Sequence, residues 1–454
     1  MSSLSDAQKA KLEVLWRRMP DAMRTALRAS AAASAGGDPA SAALVEVFDE
    51  LTKACREPAG DKAKGYLFEP LRLLIGDPDD VAPTRARFTA KGVATLWAWL
   101  AKDVAPKLVA EAKDCREPAT HEIWHDFRLR LGEALDKALA KADRVPKDMT
   151  ALTKRFDKGG REWLGDAAVL MRRSRELEEA LVGVSESVED LSENLVDNIH
   201  KRYEAMTEEA PNGALWLLIV LLARLESPWQ IFRMIERIGK RGDDLVVSKT
   251  DIAVLGDSVL ADTGFYASRL KMPPANLDEA RDVLGTLERY VSYSTGMTRE
   301  FGIRKDGRWG RSLFSLRAEA SSNLEKIFEK ASPFMKSGLP EPIKGRNGRV
   351  IPAQPPEDAA VDRCEAMLFL LAGSREYADA AAVGSLRKKI HEDCLQRLEE
   401  AGAALVDLVA DSEGQARTTS ETGLEITARL MDAAGESDSA SVLRRRGAAA
   451  SNAA

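Results

Sequence analysis

From Ala214 to Ala223 the chain reads Ala-Leu-Trp-Leu-Leu-Ile-Val-Leu-Leu-Ala, without one polar residue. A helix that is apolar on every face has no solvent side, so it is either the centre of a core or a membrane span. Spanning takes roughly 18–20 apolar residues, and this run is closed by Pro211 on one side and by Arg224 and Glu226 on the other. It is too short to span. Other helices are therefore expected to pack around it. Ser227-Pro-Trp-Gln230 follows and reads as a capping box, with Ser227 as N-cap, Pro228 at N1 and Gln230 at N3. A second helix carrying Ile231, Ile235 and Ile238 then completes a buried central helical hairpin.

Composition extends this to the whole chain. Ala, Leu, Glu, Arg and Lys dominate while β-branched and aromatic residues are sparse, which favours helix. The expected fold is all-α, an elongated multi-helix bundle. Net charge is -6 over 454 residues, so no global field draws the protein to nucleic acid or anionic lipid. Four cysteines do not make a disulfide framework. The N-terminal stretch Met-Ser-Ser-Leu-Ser-Asp lacks the apolar core of a signal peptide, and no span is visible elsewhere. The expected location is a reducing cytoplasm, and no cofactor is expected.

Four segments are expected along the chain: an N-terminal helical domain (1–145), a central helical bundle (146–332), a Pro- and Gly-rich linker or loop (333–356), and a C-terminal helical segment (357–454). The last is expected to end in a frayed tail after Arg444-Arg-Arg446. The linker carries a basic excess in Lys336, Lys344, Arg346 and Arg349. Within the bundle, Leu177, Leu181, Val184, Val188, Leu191 and Leu195 alternate four and three residues apart. That spacing predicts one long helix with a heptad seam, packed within its own bundle or pairing two copies as a coiled coil. Asn276-Leu-Asp-Glu279 predicts a second capping box. Lys53-Ala-Cys-Arg-Glu-Pro-Ala59 recurs as Lys113-Asp-Cys-Arg-Glu-Pro-Ala119, two helices ending alike rather than a solenoid, which needs several repeats.

Several of these stretches carry a resemblance. Ser227-Pro-Trp-Gln230, Arg308-Trp-Gly-Arg311 with Arg317-Ala-Glu319, Arg363-Cys-Glu365, Tyr66-Leu-Phe-Glu-Pro-Leu71 and Leu96-Trp-Ala-Trp-Leu100 resemble a group of uncharacterised, all-helical bacterial proteins. The resemblance implies a helical fold over most of the chain. It implies no activity, cofactor or site residue.

Three constellations bear on chemistry. His121-Glu122-Ile-Trp-His125 matches H-E-x-x-H, in which two histidines on one helical face hold zinc and the glutamate is the base for its water. Glu162 is the candidate third ligand. Against this, Ile123, Phe127, Leu131, Leu135 and Ala138 form the apolar stripe, which turns both histidines toward solvent. Zinc peptidases also set this helix against a sheet, and no sheet is visible. Cys55, Cys115, His121 and His125 supply the residue types of a Cys2His2 site but no C-x2-C knuckle, so buried small hydrophobes is the plainer fate of the cysteines. The loop from Gly302 to Arg311 is glycine-rich and basic, and Arg304, Lys305, Arg308 and Arg311 are candidates for phosphate or nucleic-acid backbone. It lacks P-loop spacing, and its plainer reading is an interhelix turn with Trp309 anchored in the core.

The reading these features favour is a non-catalytic helical scaffold or adaptor that works through protein–protein contacts, with other proteins or with itself through the 177–195 seam. The alternatives are a zinc-dependent hydrolase using His121, Glu122 and His125, and a phosphate or nucleic-acid binder using the 302–311 loop.

Overall fold

The computed structural model describes residues 21–34, 45, 47–48, 59–77, 81–115, 121–156, 160–240, 244–345 and 349–453. The first twenty residues of the expected N-terminal domain, Cys55 and most of the 53–59 and 113–119 echo lie outside them. Among the described residues there are twenty α-helices and four two-residue strands, so the protein is all-α as expected. No helix among them is long and apolar enough to cross a membrane. The chain forms two compact units, one from residues 1–72 with 94–174 and one from 73–93 with 175–454. This division differs from the segments read off the sequence. Position 145 falls inside the first unit, and residues 73–93 belong with the C-terminal two thirds of the chain.

The first unit contains α1 (Asp21–Ser34), α2 (Ala59–Leu67), the end of α3 (Ala90–Trp99), α4 (Pro106–Asp114), α5 (His121–Arg144), α6 (Pro146–Phe156) and α7 (Gly160–Arg172). Thr89 caps α3 by accepting from the Gly92 N–H at 3.0 Å, which fixes the helix start at Ala90. α5 and α7 lie antiparallel: Arg161 pairs with Asp143 at 2.7 Å and Arg172 with Asp136 at 2.8 Å. Gly132 allows their close approach, since a Cβ there would lie 2.9 Å from the Ala168 carbonyl oxygen. Leu131, Leu135, Leu164 and Leu170 are fully buried at the contact.

The second unit holds β1 (Ile75–Gly76), β2 (Phe88–Thr89), α8 (Ser174–Ala180, from Arg175 on), α9 (Glu193–Glu209), α10 (Pro211–Arg224), α11 (Ile231–Gly239), α12 (Asp244–Val247), α13 (Ala253–Arg269), α14 (Leu277–Glu300) and α15 (Arg308–Phe328). It continues through α16 (Ala331–Gly338), β3 (Ile343–Lys344), β4 (Val350–Ile351), α17 (Asp358–Gly373), α18 (Gly384–Asp411), α19 (Gly414–Ala433) and α20 (Ser437–Ala453). The apolar run is α10. Pro211 occupies its first turn, and every residue from Trp216 to Leu222 is buried, with Leu217, Leu218 and Leu221 at 0 % exposure. Phe88, also fully buried, sits 6.3 Å from the Trp216 ring and ties the 73–93 segment to this helix. Arg87 locks the same segment to α13. Its guanidinium donates to both oxygens of buried Asp262, at 2.5 and 2.6 Å, and the Ala82 N–H donates to Oδ1 at 3.3 Å.

Four expectations are corrected here. The heptad seam is not one helix. α8 ends at Ala180, Gly183 takes a left-handed φ of 80°, and Val188 runs extended to bridge Leu225. The Arg202 guanidinium caps the broken end through the Ala180 and Val182 carbonyls. Leu177, Leu181, Val188 and Leu191 are nonetheless buried, because a mixed helical and extended path presents them to the same core. Gln230 does not close a capping box; Ser227 makes no side-chain cap bond, and the Gln230 amide instead accepts from the Leu191 N–H and donates to the Glu189 carbonyl. Residues 331–338, assigned in part to the linker, form α16, with Ala331, Met335 and Gly338 buried; Gly338 fits against Ala360 and Cys364 of α17. The tail after Arg444 is also packed rather than frayed. It forms α20, with Ala440, Leu443 and Gly447 buried and Arg444 paired with Glu425 and Asp432. The Asn276 box is present as expected, Asn276 Oδ1 accepting from the Glu279 N–H at 3.0 Å and Glu279 accepting from the Ala275 N–H at 2.9 Å.

Leu218→Asp is expected to abolish the cooperative unfolding transition. An unpaired carboxylate at a fully enclosed site costs several kcal/mol, about half or more of a stability of roughly 5–15 kcal/mol. Thermal melting followed by circular dichroism checks this; a variant that melts with the parent would place α10 at the surface.

Candidate functional site

The H-E-x-x-H stretch opens α5, but its inward face is not the one the spacing implied. Ile123 is 43 % exposed, while Trp124 turns inward and stacks on Tyr66 with ring centroids 4.7 Å apart. Buried Arg128 sets this rotation: it donates through Nε and Nη2 to the Tyr66 carbonyl oxygen, capping the end of α2. His121 is exposed, whereas His125 is half-buried with Nδ1 3.3 Å from the Ser174 hydroxyl. Both histidines were expected to face solvent, so His125 is a correction. Glu162 does not join them. It follows Arg161, which pairs with Asp143, and eighteen residues of α5 separate Asp143 from His125, about 27 Å of helix at 1.5 Å per residue. Among the described residues no three His, Cys, Asp or Glu side chains converge as a metal site. Cys364 and Cys394 are buried in the second unit, and desolvation pushes their thiols up to about 12 and about 11, so they stay protonated and inert.

The 302–311 loop delivers the N-terminus of α15, and its backbone donors converge as an anion site would. The anion is already there. Fully buried Asp244 accepts from the Arg304 N–H (3.2 Å), the Trp309 N–H (3.1 Å) and the Gly310 N–H (3.3 Å). A Cβ at Gly307 would lie 2.0 Å from Asp244 Oδ2, and one at Gly310 1.7 Å from the Arg304 carbonyl oxygen, so these glycines serve the carboxylate's approach and the turn. The cations point elsewhere. Arg304 pairs with Asp306, Arg308 with Asp257 at 2.7 Å, Arg311 donates to the Asp306 carbonyl, and Lys305 lies over the Phe314 ring. Trp309 is 1 % exposed; its indole N–H donates to Asp257 at 2.7 Å and its ring covers Gly256. The glycine-rich loop is thus a helix start neutralised from within.

A third place carries surface features that the sequence reading passed over. β3 and β4 pair antiparallel within the segment assigned to the linker, Ile343 opposite Ile351 and Lys344 opposite Val350, with the Gly345 N–H donating to the Arg349 carbonyl at 2.8 Å. The hairpin is held at its base. Buried Leu339 and Pro340 precede it, and Glu341 takes both Nε and Nη2 of Arg397 on α18. Beyond that base the apolar side chains are uncovered: Ile343, Val350 and Ile351 are 53, 47 and 42 % exposed. Direct opposition puts Ile343 and Ile351 on one face and Lys344 and Val350 on the other. Asn347-Gly348, outside the described residues, is the sequence signal that could have found the β3–β4 pairing. It was overlooked because Val350-Ile351 is shorter than a strand is usually read.

No protein-family model, curated protein or solved structure matches this chain.

Asp244→Ala is expected to cost about 3 kcal/mol, since it leaves three N–H donors, two of them buried, without an acceptor at a helix start. Formate, the size of the missing group, is expected to restore part of the loss in the variant and to leave the parent unchanged. Urea unfolding with and without formate checks both; a variant as stable as the parent would remove Asp244 from this role.

Proposed function

We propose that this protein is a non-catalytic scaffold that works through protein–protein contacts, and that the β3–β4 hairpin is its docking element for an extended, acidic segment of a partner. The observation that carries the reading is the exposed Ile343–Ile351 pair on a two-stranded hairpin. Such a ribbon is marginal alone. Its outer edges hold unpaired backbone groups of the kind that strand addition uses. A partner strand laid along an edge would cover the isoleucine pair with alternate side chains.

Charge selects the partner's chemistry. From Pro342 to Pro356 the chain holds Lys344, Arg346 and Arg349 and no acidic residue, in a protein of net charge -6. An incoming strand with acids on the face of Lys344 and apolar residues on the face of Ile343 and Ile351 complements both. A lipid surface fits less well. Between the two strands the sequence from Gly345 to Arg349 holds no apolar residue that could enter a membrane. The Glu341–Arg397 pair joins the base of the hairpin to α18, so the ribbon is presented from a helix, as binding loops are presented from a scaffold.

The test is fluorescence anisotropy with a labelled peptide of alternating valine and glutamate, added to the full chain. Binding at least about tenfold tighter than to the valine–lysine counterpart is expected, weakening with salt. Lys344→Glu with Arg349→Glu is expected to reverse the preference, and Ile343→Lys to remove binding of both. Equal affinities, or no effect of the hairpin variants, would overturn the proposal. Co-sedimentation with phosphatidylserine vesicles that depends on the same residues would also overturn it, in favour of a lipid surface.

A further inference from the structure

The first unit contains a cleft of about 560 Å³ between the end of α3, α5 and α6. Small-molecule sites occupy roughly 300–1,000 Å³ and combine an apolar lining with a few placed polar groups. We propose that this cleft binds an amphipathic monocarboxylate, an alkyl chain ended by one carboxylate.

The space exists because of three local choices in the sequence. On α5, Ala134 and Ala138 stand four residues apart facing α6, where larger side chains would fill the gap between the two helices. On α6, Leu152 closes the floor and is 5 % exposed. At the third wall the chain leaves α-helical geometry. Leu100–Val104 is a π-turn, closed by the Ala105 N–H on the Leu100 carbonyl oxygen at 2.9 Å. Pro106 accounts for it: with no N–H to donate and a ring that resists a preceding helical residue, it stops the α3 ladder, and the wider turn absorbs the mismatch. The widened turn carries Asp103 and Val104 into the cleft wall. π-turns are uncommon and frequent at functional sites. Trp99 adds a flat apolar wall, itself packed edge-on against Phe156 at 5.5 Å.

The rim sets the head group. Arg155 pairs with Asp103 at 2.7 Å and Lys141 with Asp148 at 3.6 Å, so both rim acids are matched. Lys137 lines the same cleft and has no carboxylate partner among the described residues. One cation is left over. It suits a single carboxylate, and a cationic head group would meet a surplus of like charge.

Calorimetric titration of the full chain with sodium decanoate, below its micelle concentration, tests this. Saturable one-to-one binding is expected, with decanol at least about tenfold weaker and decyltrimethylammonium without binding. Ala138→Leu fills the space between α5 and α6, so it is expected to abolish decanoate binding while holding or raising the melting temperature. Lys137→Gln is expected to weaken decanoate at least about tenfold and leave decanol unchanged. Absence of saturable binding, equal affinity for decanol and decanoate, or undiminished binding in folded Ala138→Leu would each overturn the proposal.

Discussion

A helix with no polar face must be enclosed, and the second unit is arranged around that requirement. α10 takes Phe88 against Trp216, and the segment that brings Phe88 is fastened by the Arg87–Asp262 pair. Burial of apolar surface is strong, at about 25 cal/mol per Å², but it is non-directional and does not say which segment covers which face. A desolvated ion pair has the opposite character. It adds little net stability against apolar residues of the same volume, while removing one partner costs about 3–5 kcal/mol. Asp262 is 1 % exposed and its second acceptor position is met by Ala82, so the carboxylate tolerates one placement of residues 82–87. The apolar helix supplies the driving force, and the bidentate pair supplies the register.

The same division recurs wherever the chain departs from regular helix. Gln230 and Arg233 project one turn apart from the start of α11 and take up the backbone of the extended 188–191 stretch. Gln230 bonds Leu191 and Glu189, and Arg233 donates to the Leu191 carbonyl, to Asp190 and to Glu300. The Arg233 guanidinium in turn holds the Glu300 carboxyl below its usual range. Asp244 does this for the start of α15, and Arg128 for the end of α2. Buried backbone donors and acceptors need partners, and here long polar side chains from neighbouring helices provide them. That is why the backbone donors of a loop resembling a binding site are taken up internally: converging N–H groups attract a carboxylate whether it comes from a ligand or from the chain.

Which features were legible in the sequence follows from the same physics. α10, the Asn276 box and the helical class could be read because each is decided by neighbours within a turn or two. Phe127, Leu131 and Leu135 were rightly placed inward, yet the start of α5 turns about one residue further, to Trp124, because Tyr66 offers a ring to stack on and a carbonyl for Arg128. Nothing near position 123 in the chain announces this. The heptad from Leu177 to Leu195 was misleading for a related reason: period alone does not distinguish a seam along one helix from the same residues folded twice into a core. The helix ends at Ala180, and Gly183 with its left-handed φ turns the chain out of it. The hairpin at 343–351 lay hidden in a stretch rich in proline and glycine, where a turn signal is easily taken for a lack of structure.

Against this close packing, two exceptions among the described residues leave apolar surface or space uncovered beside an irregular backbone. At β3–β4, three β-branched side chains remain in solvent on a ribbon whose base is pinned by Glu341 and Arg397. At the α5–α6 cleft, alanines leave unfilled a space that leucines elsewhere on the same helix fill, as at Leu131, Leu135 and Leu139. Either exception alone has an ordinary structural cost, an exposed isoleucine pair or an unfilled gap. Both sit where a proline interrupts regular structure, Pro342 before β3 and Pro106 after the π-turn. A proline removes one backbone donor and fixes one dihedral, which gives a local irregularity a rigid frame. An irregularity framed in this way belongs to the path of the backbone, so its position is decided by the proline rather than by how the neighbouring side chains happen to pack.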